Sequence, residues 1–310
     1  MFLKFLKKLK SSSSTKEDIH LKTLMAKNIL MSSRKNYSKF NSINEAEEKF
    51  FSQNGEDGII DFLLESMKIN SPKFLEIGVE DYLEFNTRLI YELRNSNGLI
   101  IDQKIDKKKL SNNLELWKGR LKVVEEDINH KNINDIINKY GFDKDLDLFS
   151  IDIDGIDYWV INELPERFSK ICIAEYNPVF GGKYQVTIPN ISNFNRTDYH
   201  YSNLCWGTSL KALINLMKKK KFIFLGTNSF KNNAFFLSSD YEKNFENILP
   251  TKTLDLDKFV NHKFMESRNK KKELTYLNNE KQLQEIKNCE IINLEKSDKD
   301  KIKIGELFKI

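Results

Sequence analysis

Cysteine is scarce in this 310-residue chain, and Cys172, Cys205 and Cys289 stand far apart. Spacings that wide exclude a Cys-x-x-Cys metal knuckle and a disulfide framework, and they fit a reducing compartment, the cytoplasm. No apolar run approaches the roughly 20 residues that a membrane-spanning helix needs. No basic stripe interleaved with aromatics is present, which argues against a nucleic-acid partner. Histidine is rare too: His20, His130 and His262 lie in polar stretches, so only His200 is a candidate for chemistry. There is no internal repeat. What remains is 40% apolar and 12% aromatic, with 50 Lys and Arg against 45 Asp and Glu. That composition excludes disorder and supports a sizeable core in a mildly basic protein. The Lys- and Asn-rich bias is that of an AT-rich bacterial genome.

The chain is organised around Asp147–Gly155, Asp-Leu-Phe-Ser-Ile-Asp-Ile-Asp-Gly. Leu148, Phe149, Ile151 and Ile153 suit a strand buried on both faces, with Asp152 and Asp154 at its carboxyl end. About twenty residues on, Ile171-Cys-Ile-Ala-Glu-Tyr-Asn177 repeats the design. Two neighbouring strands would deliver Asp152, Asp154, Glu175 and Asn177 to one rim, where an open α/β sheet keeps its ligand.

In chain order, residues 1–10 place Phe2, Phe5, Leu6 and Leu9 on one helical face and four lysines on the rest. This reads either as a solvated helix or as a weak peripheral contact with an anionic membrane. Ser11–Thr15 is a linker, and residues 16–50 form a helical lead-in. The polar loop Phe51–Gly58, with Gln53 and Asn54, feeds an amphipathic helix from Ile59 and offers a ligand N–H groups or a plain turn. Strands follow at Phe74–Ile77, Leu99–Asp102 and Leu121–Asp127, with helices at 86–95 and 132–140. Strand and helix alternate, which predicts a doubly wound, Rossmann-like sheet, seven-stranded and mostly parallel. A Gly-, Pro- and Asn-rich loop runs from Asn177 to Asn203, long enough to be functional or mobile. Helix 209–220 and strands 222–225 and 233–237 close the sheet as an antiparallel hairpin. The division is residues 1–50 as N-terminus and lead-in, 51–239 as α/β domain, and 240–310 as a charged helical extension.

Leu75-Glu-Ile-Gly78, Asp102, Asp127 and Ser150–Gly155, each ending a successive strand, resemble class I S-adenosylmethionine-dependent methyltransferases. Ser52–Gly58, Asn86-Thr-Arg88, Glu175-Tyr-Asn177, Thr208-Ser-Leu and Asn233-Ala-Phe-Phe236 look like a bacterial group near the FkbM type. The likeness covers roughly residues 50–238. It implies an S-adenosylmethionine-dependent methyltransferase that O-methylates a sugar or other hydroxylated metabolite, in glycan modification. It implies that Glu76 and Gly78 form the turn under the methionine end of the cofactor. Asp102 would take the ribose hydroxyls and Asp127 the adenine, with Gln53, Asn54 and Asp152 completing the cofactor side. One departure stands out: Tyr82 sits where the glycine-rich turn should continue, so the loop takes another path or binding is lost.

The likeness also implies a metal reading, with Asp154, Glu175 and Asn177 as oxygen ligands for Mg²⁺ and Asp152 as a fourth. The plain alternative has the acids bonding a polar acceptor or capping helices without metal. Asp154 and His200 are the candidate catalytic groups. Trp206 and Tyr201 stack on a sugar or fill the core. Two rival functions remain. Asp152-Ile-Asp154 is also the signature of a metal-dependent sugar-nucleotide glycosyltransferase, and Tyr82 fits a degenerate domain that binds a glycan or partner without turnover.

Overall fold

The computed structural model describes residues 16–114, 116, 119–250, 254–262, 266–297 and 300–310. The basic segment 1–10, with its membrane reading, lies outside the described residues.

Five short apolar runs become parallel strands, β1 (Lys73–Ile77), β2 (Asn97–Asp102), β3 (Leu121–Glu125), β4 (Leu148–Ile151) and β5 (Ile171–Glu175). The chain then adds β7 (Phe222–Thr227) and β8 (Asn233–Ser238) as a hairpin. The sheet order is β3-β2-β1-β4-β5-β8-β7, with β8 antiparallel to β5 and β7. This is the doubly wound, mostly parallel seven-stranded sheet that the pattern predicts. Asn228 shapes the hairpin turn, its Oδ1 accepting from the N–H groups of Lys231, Asn232 and Asn233.

Alternation explains the two cores. Leu75, Leu99, Phe149 and Cys172 face one side and pack against α5 (Ile133–Tyr140), α6 (Asp157–Glu163) and α8 (Leu210–Lys219). Phe74, Ile100, Leu148 and Ile171 face the other, against α2 (Glu56–Ser66) and α3 (Arg88–Leu93). Side chains of successive strand residues point to opposite faces, so strands this apolar must be covered twice. The lead-in helix α1 (Lys16–Ser33) sets Ile19, Ala26 and Leu30 against Phe50, Phe51 and Leu89. A short helix, α4 (Lys107–Asn113), follows β2 and is capped by Asp106.

Two expected features differ. The loop after Asn177 is not structureless: it carries the strand β6 (Val186–Thr187) and a four-residue helix α7 (Arg196–Tyr199). The stretch 240–310, expected as a charged helical extension, contains α9 (Asp257–Val260), α10 (Asn279–Glu285), β9 (Glu290–Asn293), β10 (Lys301–Lys303) and α11 (Ile304–Phe308). β9 pairs with both β6 and β10 in a second, three-stranded antiparallel sheet. Ile286, Ile291, Ile292 and Ile304 join the same core cluster as Phe149. The apolar residues there come in ones and twos between lysines and asparagines, too short a pattern to reveal a strand.

Candidate active-site cleft

The direction of winding reverses between β1 and β4, and a cleft of about 690 Å³ opens at the carboxyl ends of the strands there. A reversal of this kind leaves a crevice that no crossover helix fills. Gly78, ending β1, lines it with φ +86°. A Cβ at this position would stand 1.7 Å from the Asp152 carbonyl oxygen, so only glycine lets β1 and β4 turn out side by side.

Each expected residue has a definite place. Gln53, Gly78, Asp102, Asp127, Asp152, Asp154 and Glu175 all line the cleft. Asp102 Oδ2 accepts from the N–H groups of Val79 and Glu80 and Oδ1 from that of Lys104. A carboxylate offers about four acceptor positions, so one remains for a ligand hydroxyl.

Glu76 does not reach the cleft. Its buried carboxylate accepts from the Asn86 and Thr87 N–H groups and from the Thr87 and Ser150 hydroxyls. Those four donors use it up, so it braces the loop before α3 instead of touching a cofactor. Asn54 lines a different hollow, beside Glu47 and Ser229, and donates its N–H to Glu56. Neighbouring acids of the same polar loop also serve the fold. Glu56 Oε1 accepts from Asn228 and Asn233, and Asp57 Oδ2 gathers the N–H groups of Phe50, Phe51 and Ser52.

Tyr82 is turned away from the cleft. It is wholly buried, stacks on Phe85, and its hydroxyl lies 2.6 Å from that of Thr87. Positive φ at Gly78, Glu80 and Tyr82 carries the chain along this other path.

Asp152, Asp154 and Glu175 bring one carboxylate oxygen each within 4.8 Å of the others. They meet because β4 and β5 are neighbours, with Ile151 opposite Ala174. Burial, then repulsion from Asp154, pushes Asp152 up to about 8. Burial and the same two neighbours push Glu175 well up, and Asp154 is also raised by burial. Three acids so close retain protons or attract a cation. Asp157 holds the turn that presents them, accepting from Ile153 N–H and Gly155 N–H.

Asn177 does not join the acids. Its amide donates to the Leu204 and Trp206 carbonyls and its oxygen accepts from Val179 N–H. Wholly buried and outside the cleft lining, Asn177 is held by these bonds away from the site, and the three acids that converge are Asp152, Asp154 and Glu175. His200 also lies elsewhere. Its Nδ1 is 2.7 Å from the Ser202 hydroxyl, and its ring rests 4.3 Å from that of Tyr201, outside the cleft lining. The loop folds back at α7, so residues 200 and 201 meet the C-terminal stretch, where Tyr201 bonds Glu285.

Two cleft residues escaped the sequence reading. Arg196 Nη1 lies 2.5 Å from Asp154 Oδ1 and is the one Lys or Arg among the described residues that line the cleft. Its isolation between Lys183 and Lys211 was a usable signal. Phe194 closes over the acid turn, and a Cβ on Gly155 would meet its ring at 2.3 Å. Trp206, considered only for stacking or core, is 4% exposed, and its indole N–H has no hydrogen-bond partner among the described residues. Glu175 Oε2 likewise has none among them.

No family model and no curated protein matches this sequence. Solved structures with some likeness include an O-methyltransferase family protein from Burkholderia thailandensis, at 10% identity and TM-score 0.35 over 59% of this chain and 57% of that one. The CurJ carbon methyltransferase gives 10% identity and TM-score 0.34 over 59% and 52%. The N-terminal domain of EvdMO1 with SAH bound gives 7% identity and TM-score 0.35 over 56% and 76%. The chain thus spans little more than half the length of the first two. Likenesses this faint fix neither activity nor substrate.

Proposed function

We propose that this chain is an S-adenosylmethionine-dependent methyltransferase acting on a hydroxyl of a sugar-like acceptor. The observation that carries the reading is the cleft at the reversal between β1 and β4, bordered in strand order by Gly78, Asp102, Asp127 and Asp152. Gly78 lines the cleft and lets β1 and β4 turn out side by side, and Asp102 keeps one acceptor for a ribose hydroxyl. When bound, S-adenosylmethionine would supply an electrophilic methyl group and leave as S-adenosylhomocysteine. The degenerate-domain reading loses its one argument, since Tyr82 is packed in the core.

The residues at the other end set what the acceptor must be. The unpaired Trp206 N–H donates and the unpaired Glu175 Oε2 accepts. A hydroxyl has an acceptor for the one and a donor for the other, whereas an ammonium serves only the carboxylate. Arg196 is the one Lys or Arg among the described residues lining the cleft and is already paired with Asp154, so no free cation there receives a phosphate or carboxylate, which favours an uncharged acceptor. The hydroxyl proton would pass to the cluster of Asp152, Asp154 and Glu175, whose raised affinity for protons suits that role. The same donor set fits a hard divalent cation such as Mg²⁺, with Asp152, Asp154 and Glu175 as its oxygen ligands. Such an ion would neutralise charge on the acceptor oxygen.

The test is isothermal titration of the full chain with S-adenosylhomocysteine, with and without Mg²⁺. We expect micromolar binding that Asp102→Ala weakens about tenfold or more, the loss of a charged hydrogen-bond acceptor. Absence of binding under both conditions would overturn the proposal.

A further inference from the structure

We propose that the outer face of α1 docks the protein onto an anionic lipid surface. The helix is apolar on two sides. Its inner side, Ile19, Ala26 and Leu30, is buried against Phe50, Phe51 and Leu89. Its outer side presents Leu21 (59% exposed), Leu24 (45%), Met25 (55%), Ile29 (39%) and Met31 (54%). At 100° per residue these five fall on one broad face opposite the buried one. They are half of the ten exposed large apolar side chains among the described residues. A concentration of that kind on one element marks an interaction surface.

Charge selects the occupant. Lys27 is exposed at one border of the apolar face and Lys35 just beyond its end, while Lys22 at the other border sets its ammonium 4.7 Å from the centre of the Phe51 ring. Long lysine stems lie along apolar surface and carry their charge to its rim, the arrangement of helices that lie in a bilayer interface. Residues 1–35 hold nine Lys or Arg against two acids, Glu17 and Asp18. Basic segments so placed are drawn to anionic headgroups. A second copy of the chain would set these lysines against their own kind, which disfavours a dimer through this face. The segment before the linker, with Phe2, Phe5, Leu6, Leu9 and four lysines, has the same chemistry and continues it in sequence.

The experiment is co-sedimentation of the full chain with vesicles of phosphatidylglycerol and phosphatidylcholine, against phosphatidylcholine alone. We expect binding to the anionic vesicles only, weakened by salt. A triple variant, Leu21→Gln with Leu24→Gln and Met25→Gln, should bind about tenfold less or weaker still, with an unchanged unfolding midpoint because the three side chains are exposed. Radical footprinting gives a second readout on the wild-type chain: Met25 and Met31 should oxidise readily in solution and be shielded by anionic vesicles. No vesicle binding, or equal binding by the triple variant, would overturn the proposal. So would shielding of both methionines without lipid, which would mean that a second copy or residues 1–10 cover the face.

Discussion

Single residues decide how much of the cleft is frame and how much is chemistry. Gly78→Ala forces a Cβ onto the Asp152 carbonyl at positive φ, so we expect a loss on the order of 3 kcal/mol or more by urea unfolding. The buried acids make a pH prediction. Burial raises Asp57 and Asp157 to about 6, and burial and repulsion raise Asp152 to about 8. The unfolded carboxyls titrate near 4, so between about 4 and 8 the folded state holds more protons than the unfolded one. Stability contributed by these groups is therefore present at low pH and lost as pH rises through that window. The urea midpoint should be lower at pH 8 than at pH 5. Asp152→Asn should flatten the upper part of that slope, and an unchanged slope would show that Asp152 is not protonated in the folded protein.

Among the elements, α8 shows how a loop and a helix are tied together. Ser209 caps it, its Oγ accepting from Ala212 N–H and Val186 N–H and donating to the Tyr184 carbonyl. One hydroxyl thus ends the β6 loop and starts the helix. Ser209→Ala should cost about 2 kcal/mol, more than a simple cap, because buried Val186 N–H also loses its partner. Thermal unfolding would measure it, and a change below about 0.5 kcal/mol would mean that the loop finds other partners. α7 plays the corresponding part on the cleft side. Asn195 caps it by accepting from Thr197 N–H and Asp198 N–H, which sets the direction of Arg196 towards Asp154.

At the scale of the molecule, the C-terminal stretch is part of the core. Ile291 is fully buried in β9, whose partner β6 belongs to the loop that lines the site. Ile291→Ala should cost about 2–5 kcal/mol in chemical denaturation, the range for a buried isoleucine whose cavity does not collapse. A near-neutral result would mean that the second sheet is only loosely attached. Tyr176 makes the same link, its hydroxyl donating to the Phe259 carbonyl. Among the described residues no helix is long and apolar enough to cross a membrane.

The sequence by itself determined the strands of the main sheet, the acids at their ends and the closing hairpin. These are local signals, read from neighbours two to four residues apart, and the physics of burial enforces them wherever the strands are placed. Gly78, Asp102, Asp127, Asp152, Asp154 and Glu175 were legible for this reason: each ends a strand, and parallel strands end on one rim. Only the tertiary structure decided which polar groups are already spent. Glu76 and Asn177 read like ligands, yet donors 10 to 74 positions away for one and partners 2 to 29 away for the other consume them. Arg196 reaches Asp154 across 42 positions, and Ile291 meets the core through β6. Hydrogen-bond satisfaction is settled by contacts between distant segments, and no period in the sequence encodes it.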